Sequence, residues 1–170
     1  RDAGCREAWI GAESGSQGVL DDMHPVTPEG ALQLARERLK AVGIRVGFFI
    51  QLGYMGEQFA DILATRDLLE AARPDEIGVS VSYPLPGTKF YDLVKAQLGG
   101  KTHWQDSNDL DMMFQGTYTS DFYRAVRNLM HDQIALQTVD ASMNLDEYGR
   151  ARIALDRGWR ELRGRELQYR

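Results

Sequence analysis

Apolar positions along the chain fall into two rhythms that alternate three times. Short dense runs occupy Glu7 to Ala12, Arg45 to Leu52 and Ile77 to Ser82. Each is rich in β-branched or aromatic residues and of strand length. In the third run Ile77, Val79 and Val81 alternate with Gly78, Ser80 and Ser82, which gives one apolar face toward helices and one small, polar face toward an interior. Between the runs, apolar residues recur at three and four. Val19, Leu20 and Met23 suggest a short helix. Thr27-Pro28-Glu29 starts a longer one, with Thr27 as N-cap and Pro28 at the first helical position. Its stripe is Leu32, Ala35, Leu39 and Val42, and Gly43 ends it as a left-handed cap with Ile44 packing back. A third helix spans about Gln58 to Ala72, buries Phe59, Ile62, Leu69 and Ala72, and stops at Arg73-Pro74-Asp75. A fourth runs from Thr88 to Leu98. Strand and helix in strict alternation predict a (βα)3 unit with parallel strands.

From Gly99 to Thr119 there is no clean period. Trp104, Met112, Met113 and Phe114 stand among Asp106, Asn108, Asp109 and Asp111. The stretch reads as a surface loop held by apolar anchors, or as a cap facing a ligand. The aspartates lack the glycine and terminal glutamate of a calcium loop, so no metal is assigned. Ser120 can cap a helix carrying Phe122, Val126, Leu129 and Ile134 to about Val139. A last helix begins near Leu145 and carries Leu155, Trp159 and Leu162. The expected fold class is therefore α/β: a partial TIM-like (βα)3 half-barrel of parallel strands followed by C-terminal helices. Its expected divisions are a barrel portion over 1–98, an irregular cap over 99–119 and a helical extension over 120–170.

Composition narrows the functional classes. At 170 residues the chain can bury one sizeable core. A net charge of −5 supplies no basic field, so nucleic acid and membrane surfaces are not expected partners. The arginines between Arg150 and Arg170 are interleaved with Asp156, Glu161 and Glu166, which reads as a solvated face. No apolar run is long enough to span a bilayer, and a cytoplasmic location is expected. The opening Arg1-Asp2-Ala3-Gly4-Cys5 reads as the end of a helix already under way, which makes a piece of a longer protein the expectation. The single cysteine, Cys5, can build neither a disulfide framework nor a metal cluster by itself. It is expected to be a small buried hydrophobe. His24, His103 and His131 sit in unrelated contexts and form no catalytic arrangement.

The candidate chemistry lies at the three strand ends. In parallel α/β folds the loops after strand carboxyl ends form the ligand-binding face. Glu13 ends the first strand, and its oxygens suit sugar hydroxyls; the alternative is a rim ion pair with an arginine. Ser14-Gly15-Ser16-Gln17 is turn chemistry. The second strand ends in Gln51-Leu52-Gly53-Tyr54-Met55-Gly56-Glu57, where Gly53 and Gly56 permit a tight turn. Glu57 is expected in the first turn of the following helix. Phe49 and Gln51 share one side of that strand, an apolar wall beside an amide. Ser82 and Tyr83 end the third strand, Tyr83 either as a ligand contact or as a rim aromatic.

Three motifs in order carry a family resemblance. Trp9-Ile10-Gly11-Ala12-Glu13-Ser14-Gly15-Ser16-Gln17 resembles the fourth-strand motif of radical S-adenosylmethionine (SAM) enzymes. Phe48 to Glu57 resembles their glycine-hydrophobic-glycine-glutamate motif on the fifth strand. Val81-Ser82-Tyr83-Pro84-Leu85-Pro86-Gly87-Thr88-Lys89-Phe90-Tyr91 resembles the sixth-strand ending. The resemblance runs from about Asp2 to His131 and is strongest to cobalamin-binding members of the anaerobic magnesium-protoporphyrin cyclase type. It implies the second half of a radical SAM barrel, with Glu13, Ser14, Gln51, Gly53, Ser82 and Tyr83 as SAM-binding residues. It implies a 4Fe-4S cluster held by three cysteines on a segment not in this chain, and cobalamin on another domain. It assigns no catalytic residue here. The family commonly places a basic residue after a Met downstream of the first of these motifs, to hold the SAM carboxylate. This chain reads Met23-His24-Pro25. The implied function is radical chemistry on a small-molecule substrate, either cobalamin-assisted methyl transfer or oxidative cyclisation, with this chain inactive alone. The alternative is a non-catalytic half-barrel that binds or assembles. A half-barrel leaves one sheet face and two strand edges bare, so either a homodimer covers them or the C-terminal helices fold back over them.

Overall fold

The computed structural model describes residues 1–23, 30–101, 103–139 and 144–170, with the Trp104 side chain outside the description. Thr27, Pro28 and Glu29, where a helix start was expected, lie outside the described residues, as do His24 and Pro25.

Three strands, β1 (Glu7–Glu13), β2 (Arg45–Leu52) and β3 (Glu76–Val81), form one open parallel sheet in the order β1-β2-β3. The helices between them are α1 (Gln17–Met23), α2 (Ala31–Ala41) and α3 (Phe59–Ala72). After β3 come α4 (Lys89–Val94), α5 (Ser120–Thr138) and α6 (Leu145–Gly164). The α/β half-barrel followed by C-terminal helices is thus the observed architecture. The strand bounds follow the hydrophobic runs closely, because each run turns one face toward the helices, fully buried along β2 and partly so along β1 and β3.

Helix ends are set by local chemistry. Gly43, at φ 72°, closes α2 with a paired motif: its N–H donates to the Lys40 carbonyl and that of Ile44 to the Leu39 carbonyl. Ile44 is buried as expected, whereas Val42 is exposed because the chain has already left the helix. Gln58 caps α3 in a reciprocal arrangement with Asp61. At α5 the N-cap is Thr119 rather than Ser120. Ser120 is the first helical residue, and its hydroxyl accepts the Met112 N–H at 3.0 Å. The helix expected over Thr88 to Leu98 is α4 plus a 3₁₀ turn at Lys95–Gln97.

One face of the sheet is dry. Val46, Phe48, Ile50 and Leu52 are buried and join Ile62 and Leu69 of α3 in a single core. Phe122, Val126 and Met130 of α5, and Leu155, Trp159 and Leu162 of α6, complete it. Burying each large side chain contributes about 1.5–3 kcal/mol. The C-terminal helices therefore extend the outer helical layer and do not fold over the opposite face. On that face Trp9 stacks on Phe49, ring centroids 4.8 Å apart, with the two side chains 37% and 51% exposed.

The 99–119 stretch contains a kinked pair of 3₁₀ turns over Trp104–Leu110. Met113 and Phe114 pack with Val94 and Leu98 in a second small core, while Leu110 and Tyr118 enter the main one. Asp109 and Asp111 pair with Arg124, and Asp109 also with Arg127 at 2.8 Å. Cys5 is exposed, contrary to the expected burial, because it precedes β1 on an uncovered edge of the sheet. No described helix is long and apolar enough to cross a membrane.

Candidate functional site

At the carboxyl ends of the strands lies a pocket of about 480 Å³, within the range of small-ligand sites. Glu13 from β1, Gln51 from β2 and Tyr83 after β3 line it, with Tyr54, Phe90 and Leu85 among the apolar walls. Three of the six expected site residues thus meet in one place.

Glu13 is held there by unusual backbone. It has φ 57°, a left-handed conformation that a non-glycine residue adopts at a cost, and the β1–β2 register shifts between Gly11 and Glu13. The bulge turns the side chain back over the strand. A Cβ built on Gly11 would stand 2.5 Å from the Glu13 Oε1, so a side chain there would push this carboxylate out of its present position. Burial raises its proton affinity above that of an ordinary glutamate. Among the described residues nothing pairs with it, and the rim ion pair with an arginine does not form. An unpaired, half-buried acceptor on strained backbone makes Glu13 a candidate binding group.

Gln51 is half-buried, and its amide donates to the Ser82 hydroxyl at 3.0 Å. Ser82 is fully buried, and its N–H donates to the Leu52 carbonyl. It was expected on the open face with Phe49 and Gln51. Ser82 follows Val81, the last residue of β3; it lies on the Gln51 side, as the hydrogen bond between them requires, but is covered and does not line the pocket. Ser14 is likewise buried: its hydroxyl meets the Thr65 hydroxyl at 3.2 Å and accepts the Ser16 N–H, which fixes the turn after Glu13. Ser16 in turn donates to Asp61 at 2.6 Å, tying this turn to the start of α3.

Gly53 lies just behind the rim at φ 75° and is buried. Its N–H donates to Glu57 Oε2 at 2.7 Å. Glu57 precedes the cap of α3 instead of occupying its first turn. Its side chain folds inward, 1% exposed, and burial pushes its pKa up to about 8. The Gly53 hydrogen bond opposes that rise and the charge of Asp61 adds to it. Glu57 Oε1 and the hydroxyl of Tyr123, on α5, are buried and meet no hydrogen-bond partner among the described residues. Sequence reasoning saw a helix-start carboxylate here; the signal it lacked was Tyr123, far along the chain. It also passed over Tyr54, Asp22 and Lys89, which line the pocket.

A larger groove of about 680 Å³ runs between α3 and α6 on the outer layer. Most of its charges are satisfied: Arg152 bridges Glu70 and Asp156, Arg66 pairs with Asp67, and Arg163 with Glu166. Arg66 and Arg163 also lie over the rings of Trp159 and Phe59. Strained backbone and unpaired acceptors favour the strand-end pocket. Among the described residues no group of three His, Cys, Asp or Glu side chains is placed to hold a metal ion.

No protein-family model matches the chain. It is similar to a protein of Methanocaldococcus jannaschii provisionally named a methylthiotransferase, with 31% identity over 112 residues. The match covers 65% of this chain and 24% of that protein, so the chain spans about a quarter of the length of the curated relative it matches.

Proposed function

We propose that this chain is part of a radical SAM enzyme and supplies strand ends that hold SAM. The observation that carries the reading is the convergence of Glu13 and Gln51 in one pocket at the carboxyl rim of three parallel strands. The residues fit the group. Glu13 offers unpaired acceptors suited to ribose hydroxyls, and Gln51 an amide beside the aromatic walls of Tyr54, Tyr83 and Phe90, suited to an adenine ring. Ser82 orients Gln51, and Ser14 fixes the turn that presents Glu13. Gly53 supports the rim from behind.

When bound beside a reduced 4Fe-4S cluster, SAM supplies radical chemistry; this chain's own residues bind and orient it. A cluster does not fit here, since the chain has one cysteine and it is exposed. Its ligands belong to another segment, and the chain alone is inactive in this reading. The relative's name favours methylthio transfer over cyclisation or cobalamin-assisted methylation. In the same reading 1–98 is barrel, 99–119 a cap and 120–170 an extension.

Calorimetric titration with SAM tests the proposal. Glu13→Ala and Gln51→Ala are each expected to weaken binding by about tenfold, the loss of a hydrogen bond or two. Absence of binding by the unaltered chain, or unchanged affinity in both variants, overturns it.

A further inference from the structure

We infer that a pocket at the amino ends of the strands, between α2, the turn after α3 and the end of α5, binds a small phosphate monoester that carries a hydroxyl group. Its volume is about 310 Å³, at the lower end of the range for small-ligand sites. Arg36 and Lys40 of α2, Arg73 after α3, Asp75 before β3 and Gln137 in the last turn of α5 line it. Asp75 fixes its place against the sheet, since the carboxylate accepts the Val46 N–H at the start of β2 at 2.8 Å. Glu13 and its pocket lie at the opposite ends of the strands.

Three cations face one carboxylate here, in a chain whose net charge is −5. Lys40 pairs with that carboxylate at 2.8 Å, which leaves two guanidinium groups without an ion pair among the described residues. Each is anchored by one bond to a helix-end carbonyl. Arg36 donates to the Arg73 carbonyl at 2.7 Å, and Arg73 to the Gln137 carbonyl at 3.1 Å. The remaining N–H groups of both forks meet no partner among the described residues. Anchored guanidinium forks match the oxygens of a phosphate group. Burial adds a second demand. Arg36 Nε and Gln137 Oε1 are both buried and meet no hydrogen-bond partner among the described residues. One is a donor and the other an acceptor, and both side chains line this pocket. Buried polar atoms left unpaired are costly, so the pair calls for a ligand that both accepts and donates. A phosphate oxygen answers Arg36 and a hydroxyl answers Gln137. The Gln137 amide is held for that role by donating to Glu70 at 3.0 Å, and the charge of Glu70 is met by Arg152 at 3.2 Å.

The test follows the thermal midpoint of the chain at constant ionic strength and slightly alkaline pH, where phosphate monoesters are dianions. Glycerol 3-phosphate is expected to raise the midpoint at several-fold lower concentration than methyl phosphate, the same dianion without hydroxyls. Glycerol is expected to leave it unchanged. Arg36→Met is expected to abolish both phosphate responses, and Gln137→Leu to bring glycerol 3-phosphate down to the level of methyl phosphate. Should Arg36→Met fail to fold, Arg73→Met carries the same expectation, because it leaves the carbonyl that anchors Arg36. Arg150→Met, at an exposed position of α6, is expected to respond as the unaltered chain does. The site is refuted if glycerol 3-phosphate leaves the unaltered chain unmoved, if Arg36→Met and Gln137→Leu respond as that chain does, or if Arg150→Met loses as much as Arg36→Met. Equal responses to the two esters refute the hydroxyl contact at Gln137.

Discussion

Glu57 shows how one side chain can make the fold sensitive to pH. Its pKa in the folded chain is pushed up to about 8, mainly by burial, from an ordinary value of 4.5. Between those limits the unfolded chain has lost this proton and the folded chain keeps it. The contribution is therefore largest below about pH 4.5 and is lost as pH rises toward 8. A gap of that size is worth roughly 3–6 kcal/mol. Glu57→Gln keeps an acceptor for the Gly53 N–H but cannot ionise. It is expected to flatten the fall in stability from pH 5 to 8, and to be the more stable protein at pH 8. Urea unfolding at several pH values measures this; equal slopes for the two proteins would sink it. Glu13 was legible in the sequence as a carboxylate at a strand end, although its left-handed backbone was not. Glu57 was misread because helix-start chemistry considers sequence neighbours alone, and its burial comes from α5. Cys5 was misread because a strand next to it suggested cover that an edge strand does not have.

At the scale of elements, the turn between β2 and α3 joins the sheet to the 99–119 stretch. Gly53 is left-handed, and an added Cβ there would stand 3.1 Å from the Met112 sulfur and 3.2 Å from Tyr123 Cζ. Gly56, at φ 84°, has open space around it. Gly53→Ala therefore meets both backbone strain and overpacking, and is expected to cost about 2–4 kcal/mol. Gly56→Ala meets only the strain and is expected to cost about 1 kcal/mol. Thermal unfolding of the two variants checks the order; equal losses would contradict it. The strands and α3 were legible because their apolar residues repeat along one buried face. The 99–119 stretch was not, because Leu110, Met113, Phe114 and Tyr118 enter two separate cores at irregular spacing.

For the whole molecule, the parallel order of β1, β2 and β3 could be read from the alternation of strands and helices, but the path of the C-terminal helices could not. Their apolar stripes fit either face of the sheet, and packing against α3 decides for the outer one. The sheet thus keeps Trp9 and Phe49 in contact with water and, among the described residues, leaves β1 and β3 each with an unpaired edge. Covering apolar area contributes about 25 cal/mol per Å² before the entropy of association. We propose that two copies associate through this face or these edges. Sedimentation at micromolar concentration is expected to show a dimer, and a clean monomer near 19.2 kDa would refute it. The Trp9 ring lies so close over β2 that a Cβ at Gly47 would stand 2.5 Å from it. It is pinned flat against one wall while its other side meets solvent. An indole in that position is an optical gauge of enclosure: whatever comes to cover this face dries the ring and shifts its emission to shorter wavelength.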